Sequence, residues 1–393
     1  MSIADSARGQ IDRLQRMALV AAVVGLAAGG VGAFMSPAQF FRSYLVGFLF
    51  WAGISLGCFA VLLLHHIFGA GWGFLVQRTL EAGTRTFPVL AVLFLPVLLG
   101  MHHLYEWSHA DVVAADPILR HKAAYLNVNF FTGRAVFYFL AWIGTAYLLN
   151  KWSRQIDETG DPQLAERLRN FGAPGLIVYG ITATFALVDW SMSLDPHWFS
   201  TMFGLLSIVG QVLTTMAFCT LVARMLFAHE PLAHMARPAH FHDLGNLMLA
   251  FTMIWAYLMF SQFLIIWSGN LPETITWYTD RSRGGWQWVA LLLFVLNFAL
   301  PFALLLSRFT KRRIDALARV AIIILAMRLV DLFWVIAPKF HAEAFHVHWL
   351  DVAAPAGIGG VWVWFFLNEL KKRPVLPVRD PRMEEALAHA EEH

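Results

Sequence analysis

Ten apolar runs alternate with short polar segments along the chain, at 17–34, 44–67, 87–103, 132–149, 174–191, 199–227, 246–267, 286–307, 316–336 and 350–369. A helix needs about 20 mainly apolar residues to cross the hydrocarbon core of a bilayer. Each run therefore predicts one spanning helix. The pattern divides the chain into a tail with the first helix (1–35), two groups of four helices (44–191 and 199–336), a tenth helix (350–369) and a polar tail (370–393). DPQLAERLRN, Asp161 to Asn170, reads as a short interfacial helix with Asp161 as cap and Pro162 in its first turn. Gly25 and Gly29 form a GxxxG face, on which a neighbouring helix or subunit can pack closely.

Composition agrees with the pattern. The 393 residues are 58% hydrophobic and 14% charged, far from the quarter charged of soluble domains. Sixteen Trp and 33 Phe suit a lipid-facing surface with aromatic belts. The net charge of +3 leaves no basic face for nucleic acid. The two cysteines, Cys58 and Cys219, sit inside apolar runs, and no CxxC or CxxCH is present. Covalent c-type haem and cysteine-ligated clusters are excluded from this chain.

Loop charge sets an orientation. With both termini cytoplasmic, 20 of the 29 Lys and Arg residues fall inside and six outside. The positive-inside rule then gives a multi-pass membrane protein with both termini cytoplasmic. The N-terminal run resembles a signal peptide but is long and Gly-rich, so it reads as a retained helix.

Polar groups inside apolar helices cost roughly 2.5–3.5 kcal/mol each on insertion scales unless paired or wetted. With this topology they gather toward the outer side: Asp189, Arg134, His102, Tyr105, Glu106, Gln262, Arg328 and Asp331. All are candidates for proton transfer. Asp189 has no basic residue at i±3 or i±4, so its partner must come from another helix, with Arg134 and His102 as candidates. His65, His66, His240 and His242 form a smaller inner set, candidates for proton entry. Trp190 is a candidate contact for a flat quinone ring. Structural readings compete: Arg328 and Asp331 are one turn apart and can simply pair. Arg134 can anchor to headgroups, and Asp195 before Pro196 can cap the sixth helix. His240 and His242 read first as solvated loop residues. No histidine lies mid-membrane, so there is no evident haem wire across the bilayer.

Five segments carry a family resemblance: HHLYEWSHADVVAADPILRHKAAYLNVNFFTGRAVFYF, TFALVDWSMSLDPHWFSTMFG, FSQFLIIWSGNLPETITWY, GGWQWVALLLF and RLVDLFWVIAPKF. They resemble the ActF-type integral membrane subunit of bacterial alternative complex III, of the NrfD-like (polysulfide reductase membrane subunit) superfamily. The resemblance implies two four-helix bundles, helices 2–5 and 6–9, with peripheral helices 1 and 10. It implies partners: a sister NrfD-like subunit, a periplasmic iron–sulfur subunit and haem c subunits, in contact with membrane lipid. Haem and Fe–S centres are then carried only by partners, and a quinone, menaquinone or ubiquinone, is the one small molecule expected near this chain. In that complex the sister subunit carries the better-supported quinol site. The inherited role is therefore scaffold plus an outward quinol or proton path in a quinol:cytochrome c oxidoreductase, not catalysis by the chain alone. Two other readings stay open, a secondary transporter and a purely structural anchor. A transporter wants broken helices and a midplane site, and here mid-helix interruptions read as few.

Overall fold

The structure, a computed structural model, describes residues 5–228, 237–377 and 379–383. The polar tail beyond residue 383 lies outside the described residues. Among them there is no strand, and ten long helical segments run back and forth. We label them α1 (Asp5–Met35), α2 (Pro37–Phe68), α3 (Gly71–Leu99), α4 (Val128–Thr159), α5 (Pro162–Trp190), α6 (Met202–Phe227), α7 (Pro238–Gly269), α8 (Trp286–Leu306), α9 (Ile314–Ile336) and α10 (Leu350–Lys371). Nine of these segments among the described residues are long and apolar enough to cross a membrane, and α4 is a helix of 32 residues beside them. The chain is an all-α, multi-pass membrane protein.

Apolar character decides position. α2 is apolar on every side and is buried almost without break from Ser43 to Leu63, as a central helix must be. α1 is apolar too, but Val20, Val23, Val24, Val31 and Phe34 are exposed, a surface suited to lipid. α2 to α5 pack with one another, as do α6 to α9. The seam between the two groups is α2 against α6, where Thr215 Oγ1 donates to the Ile54 carbonyl (2.9 Å). A Cβ on Gly57 would come within 2.4 Å of the Gln211 carbonyl oxygen, so the seam needs glycine there. α10 is less peripheral than expected. It bridges α1 to α2 and buries Trp362, whose Nε1 donates to Ser55 (2.8 Å) and Thr86 (3.1 Å).

The GxxxG face is used within the chain. A Cβ on Gly25 would meet the Gly357 backbone at 2.5 Å, while Gly29 faces the Phe40 ring. Gly357→Leu is therefore expected to push α1 off α10 and cost about 1–3 kcal/mol by overpacking. The check is thermal stability in detergent beside Gly30→Leu, whose Cβ has open space; equal melting of the two would reject the close approach.

Four sequence expectations need correction. The third helix begins at Gly71, not 87, so Arg78 lies on a buried helix and Arg85 caps its first piece, Gly71–Thr84, rather than both lying in a loop. That helix is also interrupted, with separate pieces Phe87–Leu93, Leu95–Leu99 and Met101–Leu104. Pro88 and Pro96 supply no backbone N–H, and each sits at the start of a new piece. Thr84 and Thr86 hydroxyls bond the carbonyls of Glu81 (2.8 Å) and Gly83 (2.7 Å) beside the break. α8 carries a π-helical stretch, Phe294–Ala299, so interruptions are not few. The interfacial helix predicted at 161–170 is the start of α5 itself; Asp161 does cap it, accepting from Gln163 N at 2.9 Å. Asp195 does not cap α6, whose cap is Thr201; its carboxylate instead faces Lys339 at 3.5 Å.

Candidate functional site

The termini end of the bundle holds the ends of α1 and α10 side by side, with Lys371 Nζ on Asp12 at 2.8 Å. The opposite, loop end carries residues 105–127, 270–285 and 337–349.

Asp189 lies in the last turn of α5 and Arg134 in the second turn of α4, and the antiparallel packing of these helices brings them together. Arg134 Nε donates to Asp189 Oδ2 (2.8 Å) and Nη2 to Oδ1 (2.9 Å), a bidentate pair. Tyr138, one turn beyond Arg134, donates to Oδ2 at 2.8 Å. The guanidinium also donates to the Tyr125 carbonyl (2.9 Å) and stacks on the Tyr125 ring 3.8 Å from its centroid. Arg134 is thus a partner of Asp189, not a headgroup anchor. The loop closes over this pair. Tyr105 donates to the Trp190 carbonyl (2.9 Å), Trp107 to that of Ser193 (3.1 Å) and Lys122 to that of Pro196 (2.7 Å). Burial pushes the Tyr105 hydroxyl well above its usual range, and the charge of Asp189 adds to this.

The rest of the expected outer relay is not assembled around Asp189. His102 is exposed, with Nδ1 3.2 Å from Ser108 Oγ, and Glu106 pairs with Lys339 at 3.2 Å. Trp190 is 1% exposed, enclosed by Phe48, Phe94, Tyr138, Phe139 and Trp142. It is a packing residue here, so the quinone contact expected of it has no cavity at its ring among those described below.

A second polar site lies between the helix groups. Arg328 Nη1 pairs with Asp331 Oδ2 at 2.6 Å, as their spacing predicts. A Cβ on Gly210 would come 1.9 Å from Arg328 Nη2, so that glycine makes room for the guanidinium. The pair faces a cavity of about 40 Å³, also lined by Ser191, Gln211, Trp255 and Gln262. Arg328 Nε, Asp331 Oδ1, Ser191 Oγ and Trp255 Nε1 are buried without a protein partner. One water needs roughly 10–15 Å³ of such space, so the cavity has room and bonding partners for water. Gln262 accepts from Ser200 (2.9 Å) and its amide nitrogen lies 3.4 Å from the Tyr278 hydroxyl.

Trp255 and Met259 form a wall shared with a much larger groove of about 700 Å³ between α7, α8 and the short helix Pro272–Arg281. Phe260, Phe263, Phe294 and Phe298 line its long apolar part; Tyr278, Thr279, Arg281 and Gln287 line the loop end. Arg281 is buried and donates to the carbonyls of Trp277 (2.8 Å), Trp334 (3.2 Å) and Val335 (2.5 Å). Burial pushes its pKa down to about 9.

The termini end holds a cluster that sequence reasoning missed. Glu81, fully buried in α3, accepts from Arg78 (2.8 Å), Arg373 (2.9 Å), Gln77 (3.0 Å) and Ser153 (2.5 Å), with Arg85 at 3.4 Å. Arg78 also pairs with Asp157 of α4. Gln77 and Glu81 stand at i, i+4 on Gly71–Thr84, and Arg85, the cap of that helix, follows at i+8, a spacing readable once 71–84 is taken as helix rather than loop. The inner histidines split. His65 reaches this cluster, Nε2 3.3 Å from Gln77 Oε1; beside it His66 is buried with both ring nitrogens unpartnered. His240 is 2% exposed in the first turn of α7, which corrects its reading as a solvated loop residue; His242 is less buried and lies 3.3 Å from Asn246. Among the described residues no group of three His, Cys, Asp or Glu side chains gathers as metal ligands would.

No protein-family model matches the chain, and none of the curated proteins compared with it does.

Proposed function

We propose that the chain is a membrane subunit of a bacterial quinol:cytochrome c oxidoreductase complex, with both termini cytoplasmic and the groove at α7 and α8 receiving quinol from the bilayer. One observation carries this reading: an open, aromatic-lined groove shares a wall with a cavity holding Arg328 and Asp331. A quinol has a flat ring with two hydroxyls and a long apolar tail, and the groove offers an apolar run with polar groups at one end. Oxidation of quinol releases two electrons and two protons. The electrons leave to haem or Fe–S centres on partner subunits, since this chain has no cysteine motif to hold such a centre. Asp331, with Oδ1 free of protein partners, is the group placed to take a proton through cavity water.

Ala290 lines the groove, half-buried. Ala290→Trp is expected to lower the quinone content of the purified assembly at least about fivefold, the loss of roughly 1 kcal/mol of binding. Asp331→Asn costs stability, as loss of one partner of a buried pair does; in assemblies that keep the parent's subunit content it is expected to leave quinone content intact and lower proton release per turnover. Unchanged quinone content in the first variant and unchanged proton release in the second would reject the reading.

A secondary transporter is favoured by a different observation, the interruptions in α3 and α8. Counterflow of a solute into liposomes by the chain alone would decide for it.

A further inference from the structure

At the termini end, a groove of about 330 Å³ runs between α3, α4 and α10. Its polar half holds four cations, Arg85, Lys151, Arg154 and Arg373, against one carboxylate, Glu369, which Lys372 and Arg85 already bind. Arg85 and Arg373 are also tied to the Glu81 cluster behind the groove. Lys151 is exposed and has no ion pair or hydrogen bond among the described residues, and the one ion pair of Arg154 is a loose 3.8 Å contact with Glu158. The other half of the groove is apolar, with Ile143 and Phe365 in its wall. From Ile143 to Arg154 the helix rises roughly 16 Å at 1.5 Å per residue, so the lining turns from apolar to cationic along the length of one lipid headgroup and upper chain.

We propose that this groove is a binding site for one anionic phospholipid, with the phosphate against Lys151 and Arg154 and an acyl chain along Ile143 and Phe365. Basic pockets between membrane helices bind anionic headgroups, and a Lys or Arg near an anionic membrane surface contributes about 1 kcal/mol. The apolar half selects a lipid over a free anion, and the cations left for a ligand, Lys151 and the loosely paired Arg154, select an anionic over a zwitterionic head. The site is separate from the α7–α8 groove and stands whether or not a quinol binds there.

The test is native mass spectrometry of the full chain released from mild detergent with phosphatidylglycerol or phosphatidylcholine added. The expected result is retention of phosphatidylglycerol in preference to phosphatidylcholine. Lys151→Gln with Arg154→Gln should weaken it about thirtyfold, as two lost charges at about 1 kcal/mol each imply. Arg13→Gln with Arg16→Gln, two exposed charges of α1, should leave it unchanged. Ile143→Trp, which fills the apolar half and keeps every charge, should also weaken retention. The proposal is overturned if both charge pairs act equally, if phosphatidylcholine is held as well, if inorganic phosphate displaces the lipid at equal concentration, or if Ile143→Trp has no effect.

Discussion

Glu81→Gln is expected to destabilise the protein by about 3–5 kcal/mol, the range for removing one partner of a buried ion pair. The glutamine keeps the shape of the side chain, and Ser153 and Gln77 can still bond to its carbonyl oxygen. The charge is what disappears. Glu81 is the carboxylate that Arg78, Arg85 and Arg373 share, and these three come from two different helical regions. Without it, Arg78, 2% exposed, keeps Asp157, and Arg85 keeps a 3.4 Å contact with Glu369. Among the described residues Arg373 keeps only the Asn150 carbonyl at 2.7 Å. Three guanidiniums then repel one another in a site of low dielectric. Thermal unfolding in detergent should show the midpoint falling by about 10 °C, at a few degrees per kcal/mol. Arg373→Gln should cost less, because Glu81 retains Arg78. A Glu81→Gln protein that melts with the parent would mean that the cluster is neutralised in another way.

Asp189→Asn is the second. Asp189 is 1% exposed and receives three donors, two from Arg134 and one from Tyr138. Loss of its charge strands Arg134 beside two aromatic rings, with the Tyr125 carbonyl as its remaining strong acceptor. The expected cost is again about 3–5 kcal/mol. The double variant Arg134→Met, Asp189→Leu should recover most of the loss, because matched apolar replacement of a buried pair is often neutral. This pair of measurements also separates two roles. Stability lost in the single variant and regained in the double one marks a structural tie between α4 and α5. A single variant of unchanged stability that fails to release protons would assign Asp189 to the chemistry and sink the structural account.

The difference between the two sites explains why one was foreseen and the other was not. Asp189 stood out because an acidic residue near the end of an apolar run lacks a local partner, which any reading of helical spacing detects. Its partner, 55 positions away, was one of two candidates, and only the packing of α4 on α5 chose Arg134. Glu81 stood out less because QRTLEAGTRT is polar enough to read as a loop. Its burial comes from α2, α4 and α10 closing around it, and no local pattern encodes that. The large groove was illegible for the same reason. Its lining comes from α7, α8, α9 and the helix Pro272–Arg281, whose aromatic residues are indistinguishable in sequence from lipid-facing ones.

From the order of residues alone came the helical membrane class, the approximate spans, the Asp161 cap and the Arg328–Asp331 pair. Each depends on interactions within one segment: in lipid a backbone must bond to itself, and a helix does so locally. Tertiary structure alone decided which apolar helix became the buried α2, which carboxylate met which guanidinium, and where side chains left space. Those outcomes depend on lateral contacts between segments far apart in the chain, where lipid tails and apolar side chains compete on nearly equal terms and fine packing selects the neighbour.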